Sequence, residues 1–364
     1  MILCLDNIVF SLQKIGGISL YWKKHLERLL QDKSQNCKLI EFKNAEKNFF
    51  RKQLYIDKKL IWIKNSFFLF FKRYFNTNPK INEKYIFHSS YYRISKDKNV
   101  INITTIHDFT YEYYVKGLAQ KVHSWQKKRS ILKSDGIICI SENTKKDLIN
   151  FIPQIDIRKI RVIYNGVDEN FAPVNLELPY SKNHLFQDFS YAIYVGDHKT
   201  EYKNFVMAIK ACQIHNLKLL IVGGGPLTKL EISKLNSILG SNNYKLLLNL
   251  SIEDLNQCYN RAYCLLYPSF YEGFGIPIVE AQKAGCPVIA THSSSIPEVI
   301  ADIFFAIDNP TPEKIAEKMQ YLKVNSKERE DAIKSGLVKS SFFNWDKTYQ
   351  ETIEFYTYLY NKKM

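Results

Sequence analysis

Pro268-Ser-Phe-Tyr-Glu272-Gly-Phe-Gly275-Ile-Pro277-Ile-Val-Glu280-Ala-Gln-Lys-Ala-Gly285-Cys-Pro287-Val-Ile-Ala290 is the most informative stretch of the chain. An apolar strand runs up to Tyr267 and stops at Pro268. Glu272 opens a loop in which Gly273, Phe274 and Gly275 can expose several backbone N–H groups, because glycine lets the main chain turn and be approached closely. Pro277 sits where a helix would begin, and its fixed φ and missing donor suit that place. Glu280 is then expected in the first turn of the helix and Gly285 as the residue just past its end. Pro287 opens the next strand. Strand, loop, helix and strand in that order make the repeating unit of a parallel α/β sheet. Two carboxylates, Glu272 and Glu280, stand at its mouth beside a helix N-terminus, an end that favours anions. A lone Gly-x-Gly would mean only a turn before a capped helix; the whole string is far more specific.

The same alternation extends toward the N-terminus. Upstream, Tyr191–Val195, Lys218–Val222, Tyr244–Leu248 and Tyr263–Tyr267 read as strands, with helices over Phe205–His215 and Ile252–Arg261. Nearer the N-terminus, Ile2–Phe10, Tyr85–His88, Asn102–His107, Gly136–Ser141 and Arg161–Tyr164 read as strands, and Tyr21–Leu30 as a helix. Asn165-Gly-Val-Asp168, Phe171-Ala-Pro173 and the polar run to Asp188 read as an interdomain linker. Two α/β domains with mostly parallel sheets are expected, and such sheets bind ligands beyond the carboxyl ends of their strands.

Composition bounds the function. The chain has 364 residues, and 51 Lys+Arg against 36 Asp+Glu leave a net charge of +15. A length of this size favours two domains. A hydrophobic fraction of 46% excludes wholesale disorder. The densest apolar run, Phe67-Phe68-Leu69-Phe70-Phe71, is far too short to span a bilayer. The first ten residues read as a strand rather than a signal peptide, since Asp6 interrupts them and no basic segment precedes them. The seven cysteines follow no disulfide or zinc spacing and read as free, mostly buried thiols in a reducing cytosol. The surplus positive charge points to a polyanion: nucleic acid, an anionic membrane surface or a phosphorylated ligand.

The string Glu272–Glu280 resembles the Glu-x7-Glu motif of retaining GT-B glycosyltransferases, family 4 (glycosyltransferase group 1). Other segments match that family in the same order. Gly16-Gly17-Ile18 follows the first strand and resembles its diphosphate-facing glycine pair. Ile106-His107-Asp108 resembles its His-Asp element, and Ser141-Glu-Asn-Thr-Lys145 a structural capped helix start. Tyr194–Phe205 resembles the element that neutralises the donor diphosphate. Lys203 matches its lysine, but the usual arginine is missing and His198 or Lys199 stands near its place; a lysine there supplies a point charge where the fork would be bidentate. Leu219–Pro226 is a strand running into Gly223-Gly224-Gly225; it fits neither a Walker A loop nor a dinucleotide fingerprint. In the family this turn lies beside the nucleotide.

The resemblance implies a GT-B fold, two Rossmann-like domains with parallel sheets facing across a cleft. Residues 1–172, with a C-terminal helix over 345–364 crossing back, would bind the acceptor; residues 173–344 would bind the nucleotide sugar. It implies retaining, metal-independent hexosyl transfer (EC 2.4) from a GDP- or UDP-hexose. The acceptor would be a glycan, specifically a lipid-linked oligosaccharide of bacterial O antigen or capsule synthesis. Glu272 and His107 would meet the transferred sugar and Glu280 the ribose. Gly16, Gly17, Lys199, Lys203, Gly224 and the loop Gly273-Phe274-Gly275-Ile276 would complete the donor site. No cofactor or metal is implied. A non-enzymatic basic nucleic-acid-binding protein, and a sugar epimerase or phosphorylase of the same fold, are the alternatives.

Residues 43–75 carry none of the resemblance. They interleave lysines and arginines, among them Lys58, Lys59, Lys64 and Lys72, with ten aromatic residues, against only Glu46 and Asp57. A helical stretch of this kind can lie in a membrane interface, stack on single-stranded nucleic acid, or be a pair of core helices with a basic outer face. With the lipid-linked acceptor, the expected partner is an anionic inner-membrane surface rather than nucleic acid, and the expected location is cytoplasmic and peripheral to that membrane.

Overall fold

A computed structural model describes residues 1–177 and 186–362, Phe70 by its main chain alone. The chain forms two compact units, Met1–Gly166 joined by the segment from Trp345 onward, and Val167–Asn344.

The first unit is built on seven strands: β1 (Ile2–Asp6), β2 (Asn36–Phe42), β3 (Ile61–Lys64), β4 (Tyr85–Ser89), β5 (Val100–Ile106), β6 (Gly136–Cys139) and β7 (Ile160–Val162). Their order is β3-β2-β1-β4-β5-β6-β7 and every pair is parallel. The middle strands are buried along their whole length, and the polar residues in them are bonded inside, as His88 is to Thr105 at 2.9 Å. Helix Gly17–Gln31 turns Tyr21, Trp22, Leu26 and Leu29 onto Leu3, Leu5, Leu39 and Ile86. Helix Trp345–Lys362 adds Trp345, Phe355, Tyr356 and Leu359 to the same core. Gly136 makes that docking possible: a Cβ there would run into Leu359 and come within 3.0 Å of Phe355.

The second unit has six strands: β8 (Tyr191–Val195), β9 (Lys218–Val222), β10 (Tyr244–Leu247), β11 (Leu265–Tyr267), β12 (Val288–Thr291) and β13 (Ala306–Ile307). Their order is β10-β9-β8-β11-β12-β13, again all parallel. Each sheet reverses its strand order once, at β1/β4 and at β8/β11. A crevice opens beyond the carboxyl ends of the strands at such a switch point. Among the described residues, no helix is long and apolar enough to cross a membrane.

Several expectations are corrected. The first strand ends at Asp6, and Val9–Leu12 is a short helix. Asp6 is buried and paired with Arg93 at 3.2 Å, so an acid can end a core strand; burial pushes its carboxyl up. Strands β2 and β13 and helix Leu118–Lys133 stand where the sequence pattern points to no element, and strand β3 stands where it points to helix. The second unit starts at Val167, ahead of residue 173. Val167 pairs with Asn344, Phe171 packs on Tyr259, and Asn256 and Asn260 hold the main chain of Ala172 and Val174. The first part of the expected linker is thus an integral edge of that unit; residues 178–185 and 363–364 lie outside the described residues. The stretch 43–75 is not a pair of helices. It has three short 3-10 turns, edge strand β3 and the single turn Leu69–Lys72. Ala45, Leu54 and Ile56 enter the core, whereas Phe67, Phe68, Phe71 and Phe75 face solvent. All seven cysteines are free and buried.

Candidate active site

In the second unit the chemistry collects at the carboxyl ends of β8, β9 and β11. Behind β11, Glu272 begins the loop into helix Ile276–Lys283. Behind β8, Glu201–Lys203 forms one 3-10 turn, and Asn204, in the left-handed conformation, starts helix Phe205–His215. The two loops are tied together where Phe270 donates its N–H to the Tyr202 carbonyl at 2.8 Å. Lys203 Nζ then reaches Glu272 Oε1 at 2.6 Å, with 18% and 11% of the two side chains exposed. The Tyr202 and Tyr267 rings lie 5.6 and 5.7 Å from the same ammonium. Burial, then the neighbouring Glu272, holds the Tyr267 phenol well above its usual range, so it stays protonated and serves Glu272 as a donor.

The backbone of Glu272 is fixed from a third loop, the one behind β12. Glu272 donates its N–H to Ser294 Oγ at 2.8 Å, and Ser295 donates its hydroxyl to the Glu272 carbonyl at 2.9 Å. Ser293 donates to the Phe270 carbonyl at 2.5 Å. Ser294 has φ +51°, uncommon outside glycine and asparagine, and this turn is what aims its oxygen at Glu272. Three consecutive serines thus grip residues 270–272.

Gly223, Gly224 and Gly225 all have positive φ. They carry the chain from β9 back past Gly196, whose carbonyl would lie 3.5 Å from a Cβ on Gly223. A Cβ on Gly224 would collide with the imidazole of His198. The His198 side chain is covered, with Nε2 3.4 Å from Glu231 Oε1, whereas Lys199 is exposed and brings Nζ within 3.7 Å of where a Cβ of Gly225 would stand. Both residues near the place of the missing arginine thus reach the glycine turn, His198 with a covered imidazole and Lys199 with an exposed ammonium.

Glu280 differs from expectation. Helix Ile276–Lys283 begins one residue ahead of Pro277, so Glu280 is its fifth residue and lies in the second turn. It accepts a hydrogen bond from Tyr259 OH at 3.1 Å. Burial pushes its carboxyl up to about 7, against the pull of that bond and helped by Asp168. Gly275 caps the helix with φ +98°, and Gly285 follows it at +78°. Phe274 is buried against Phe343, ring centroids 5.4 Å apart, so its side chain anchors the loop.

The first unit holds Gly16, Gly17 and His107. Gly16, with extended backbone, precedes helix Gly17–Gln31, which is longer at its start than the Tyr21–Leu30 helix expected from the apolar spacing. Among the described residues, nothing stands within 4 Å of a Cβ on Gly17, so the helix end is open there. The ring of Tyr21, on this helix, meets the His107 imidazole edge-on at 5.0 Å, which brings the glycine pair and the histidine to one end of the sheet. Burial, then Lys127 against the opposing pull of Asp108, lowers His107 to about 4, so it is a neutral hydrogen-bonding group at neutral pH. Ser141 caps helix Glu142–Phe151 by accepting the Thr144 N–H at 3.0 Å, the structural role read from the sequence.

Comparison with known proteins fits this geometry. A family model described as glycosyl transferases group 1 matches residues 180–338, and one described as Glycosyltransferase Family 4 matches residues 80–171. The chain belongs to the group 1, family 4 glycosyltransferases. It is 36% identical over 107 residues to O-antigen chain mannosyltransferase B of Escherichia coli, covering 29% of this chain and 28% of that protein. The chain therefore spans little more than a quarter of that relative. Among solved structures it resembles sucrose-phosphate synthase of Thermosynechococcus elongatus, with TM-score 0.77, 18% identity and 99% of each chain covered. It also resembles the HepE protein of Anabaena solved with UDP, with TM-score 0.69, 14% identity, and 97% of this chain and 98% of that chain covered. These likenesses establish the GT-B fold of this family 4 member.

Sequence reasoning misses Ser293, Ser294, Ser295, Tyr259 and Tyr267. The serine run Ser293-Ser-Ser295 directly after a strand is the available signal. The two tyrosines look like ordinary core residues until the fold places their hydroxyls on the glutamates.

Proposed function

We propose that this family 4 protein transfers a hexosyl group, with retention, from a GDP- or UDP-hexose to a glycan acceptor. We place it in surface polysaccharide synthesis with a lipid-linked oligosaccharide acceptor. The observation that carries the reading is the Lys203–Glu272 pair, 2.6 Å apart beside the glycine turn that Lys199 overlooks. Departure of a nucleoside diphosphate needs positive charge and N–H donors where anionic charge develops. Lys199 and Lys203 supply the charge, and the Gly224 main chain borders the diphosphate, the place of its Cβ being taken by His198. Glu272 positions the transferred sugar, with Gly273, Phe274, Gly275 and Ile276 offering main chain to its hydroxyls. Glu280 accepts from the ribose diol. The bond from the anomeric carbon to the diphosphate oxygen breaks, and the bond to the acceptor oxygen forms on the same face. The acceptor proton passes to the departing phosphate. The O-antigen mannosyltransferase likeness and the UDP in the HepE structure support the donor and acceptor classes.

The test is a donor screen with UDP- and GDP-hexoses, read by thermal shift and by mass spectrometry of released nucleotide. One class should raise the melting temperature and release its nucleoside diphosphate, in EDTA as in buffer. Stabilisation by an oligonucleotide alone, or product that is an epimerised or phosphorolysed sugar, would overturn the reading.

A further inference from the structure

The first unit presents two exposed apolar groups that its core does not use. Phe67, Phe68, Phe71 and Phe75 are each between 59% and 65% exposed. The rings of Phe67 and Phe68 stand 4.2 Å apart, and Phe68 holds φ +57°, rare for a bulky residue. The second group lies on helix Leu118–Lys133. Its outer face reads Leu118, Lys121, Trp125, Lys128 and Leu132, spacings of three and four that make one helical stripe. Leu118 is 77% exposed, Trp125 55% and Leu132 40%, while Lys121 and Lys128 are exposed between them.

The two groups lie on segments that are bonded to each other. Gln126 donates to the Arg73 carbonyl at 2.6 Å, and Arg129 donates to the Tyr74 carbonyl at 3.1 Å. The helix is thereby fastened to the segment that carries the phenylalanines. Neither Ile61–Asn76 nor Leu118–Lys133 contains an aspartate or glutamate. We propose that the phenylalanine cluster and the outer stripe of helix Leu118–Lys133 form one docking surface for an anionic lipid bilayer.

Charge decides between a bilayer and a protein partner. Lysine is depleted in protein interfaces, whereas aromatic rings ringed by lysines suit the headgroup region, where the rings enter the acyl boundary and the ammonium groups reach phosphate. Each basic group near an anionic surface adds attraction that salt screens. The inference rests on the lipid-linked acceptor of the proposed function: it would hold the enzyme at the surface where that acceptor resides.

The test is co-sedimentation of the full chain with vesicles of phosphatidylcholine, either pure or mixed with phosphatidylglycerol. Wild type should bind the anionic vesicles, bind neutral ones weakly, and release in high salt. Lys121→Glu with Lys128→Glu should weaken anionic binding at least about tenfold. Phe67→Ser with Phe71→Ser should do the same, at exposed sites where folding is preserved. Trp125 emission should shift to the blue on binding, and Trp125→Phe should remove the shift. Release of nucleoside diphosphate from the donor without vesicles should be unchanged in every variant; failure of that release in wild type too would count against the glycosyltransferase reading and leave the docking result standing. Equal binding by wild type and variants overturns the proposal. So does a wild-type dimer in gel filtration that these substitutions dissolve, which would assign the face to a second copy of the chain.

Discussion

Glu272 and Glu280 stand eight residues apart on one strand–loop–helix unit, and their surroundings differ in kind. Glu272 meets the Lys203 ammonium at 2.6 Å and has its main chain gripped by two serines. Among the described residues, the Glu280 carboxyl meets only the Tyr259 phenol, at 3.1 Å, and burial has pushed it up to about 7. One carboxylate is compensated before any ligand arrives. The other has no cation beside it among the described residues and gains from any hydroxyls that approach it. The difference teaches that two identical residues of one motif can be held in unlike states, one beside a cation and one beside a neutral phenol.

The largest effect is expected at the compensated end. Glu272→Gln should lower kcat by about a hundredfold to a thousandfold with nucleotide affinity nearly kept, as for loss of a group that acts on the reacting sugar. Unchanged turnover would break the comparison. Glu280→Ala should instead raise the Kd for the nucleoside diphosphate by roughly tenfold to a hundredfold, the loss of charged hydrogen bonds to the ribose, with a smaller effect on kcat. Isothermal titration with UDP and GDP separates the two. A fall in affinity for Glu272→Gln equal to that for Glu280→Ala would erase the distinction.

A smaller effect is expected in the pH dependence of stability. The folded chain holds the Glu280 proton more tightly than the unfolded one, since about 7 lies above the ordinary 4.5. Ionised Glu280 therefore costs stability, in full above pH 7 and not at all below about pH 4.5. Glu280→Gln should melt higher than wild type at about pH 8, and the gap should close as the pH falls through that window. The smallest effect belongs to Tyr259→Phe. Removing the one bond that favours the charged form should move the midpoint of nucleotide binding to higher pH and weaken binding a few-fold, roughly the worth of one hydrogen bond.

The two sheets are legible where the buried strands are mostly apolar, as in β8 and β11. Helices Phe205–His215 and Ile252–Arg261 fall where their sequence puts them. Strand β2 is hidden because Lys38 and Glu41 interrupt it; Glu41 is tolerated because Arg51 and Asn7 bond to it at 2.8 and 2.9 Å. Helix Leu118–Lys133 is hidden because its pattern is inverted. His123, Gln126, Lys127 and Ser130 face inward while Leu118, Trp125 and Leu132 face out. Lys127 is kept inside by Glu112 at 2.7 Å and the Asp108 carbonyl at 2.9 Å. In the candidate site, the places of Glu272, Lys203 and the glycine turn at strand ends are legible from local pattern. The serine grip and the two tyrosines depend on loops that meet only after folding.

The return of helix Trp345–Lys362 to the first sheet has a consequence for biogenesis. On the ribosome Met1–Gly166 emerges ahead of the second unit, but the core it builds lacks Trp345, Phe355, Tyr356 and Leu359 until that helix is made. The second unit, Val167–Asn344, is continuous in the chain and can close first. Translation thus delivers the units in the reverse of their order of completion, and a chain released early would expose the strand face around Gly136 to chaperones and proteases.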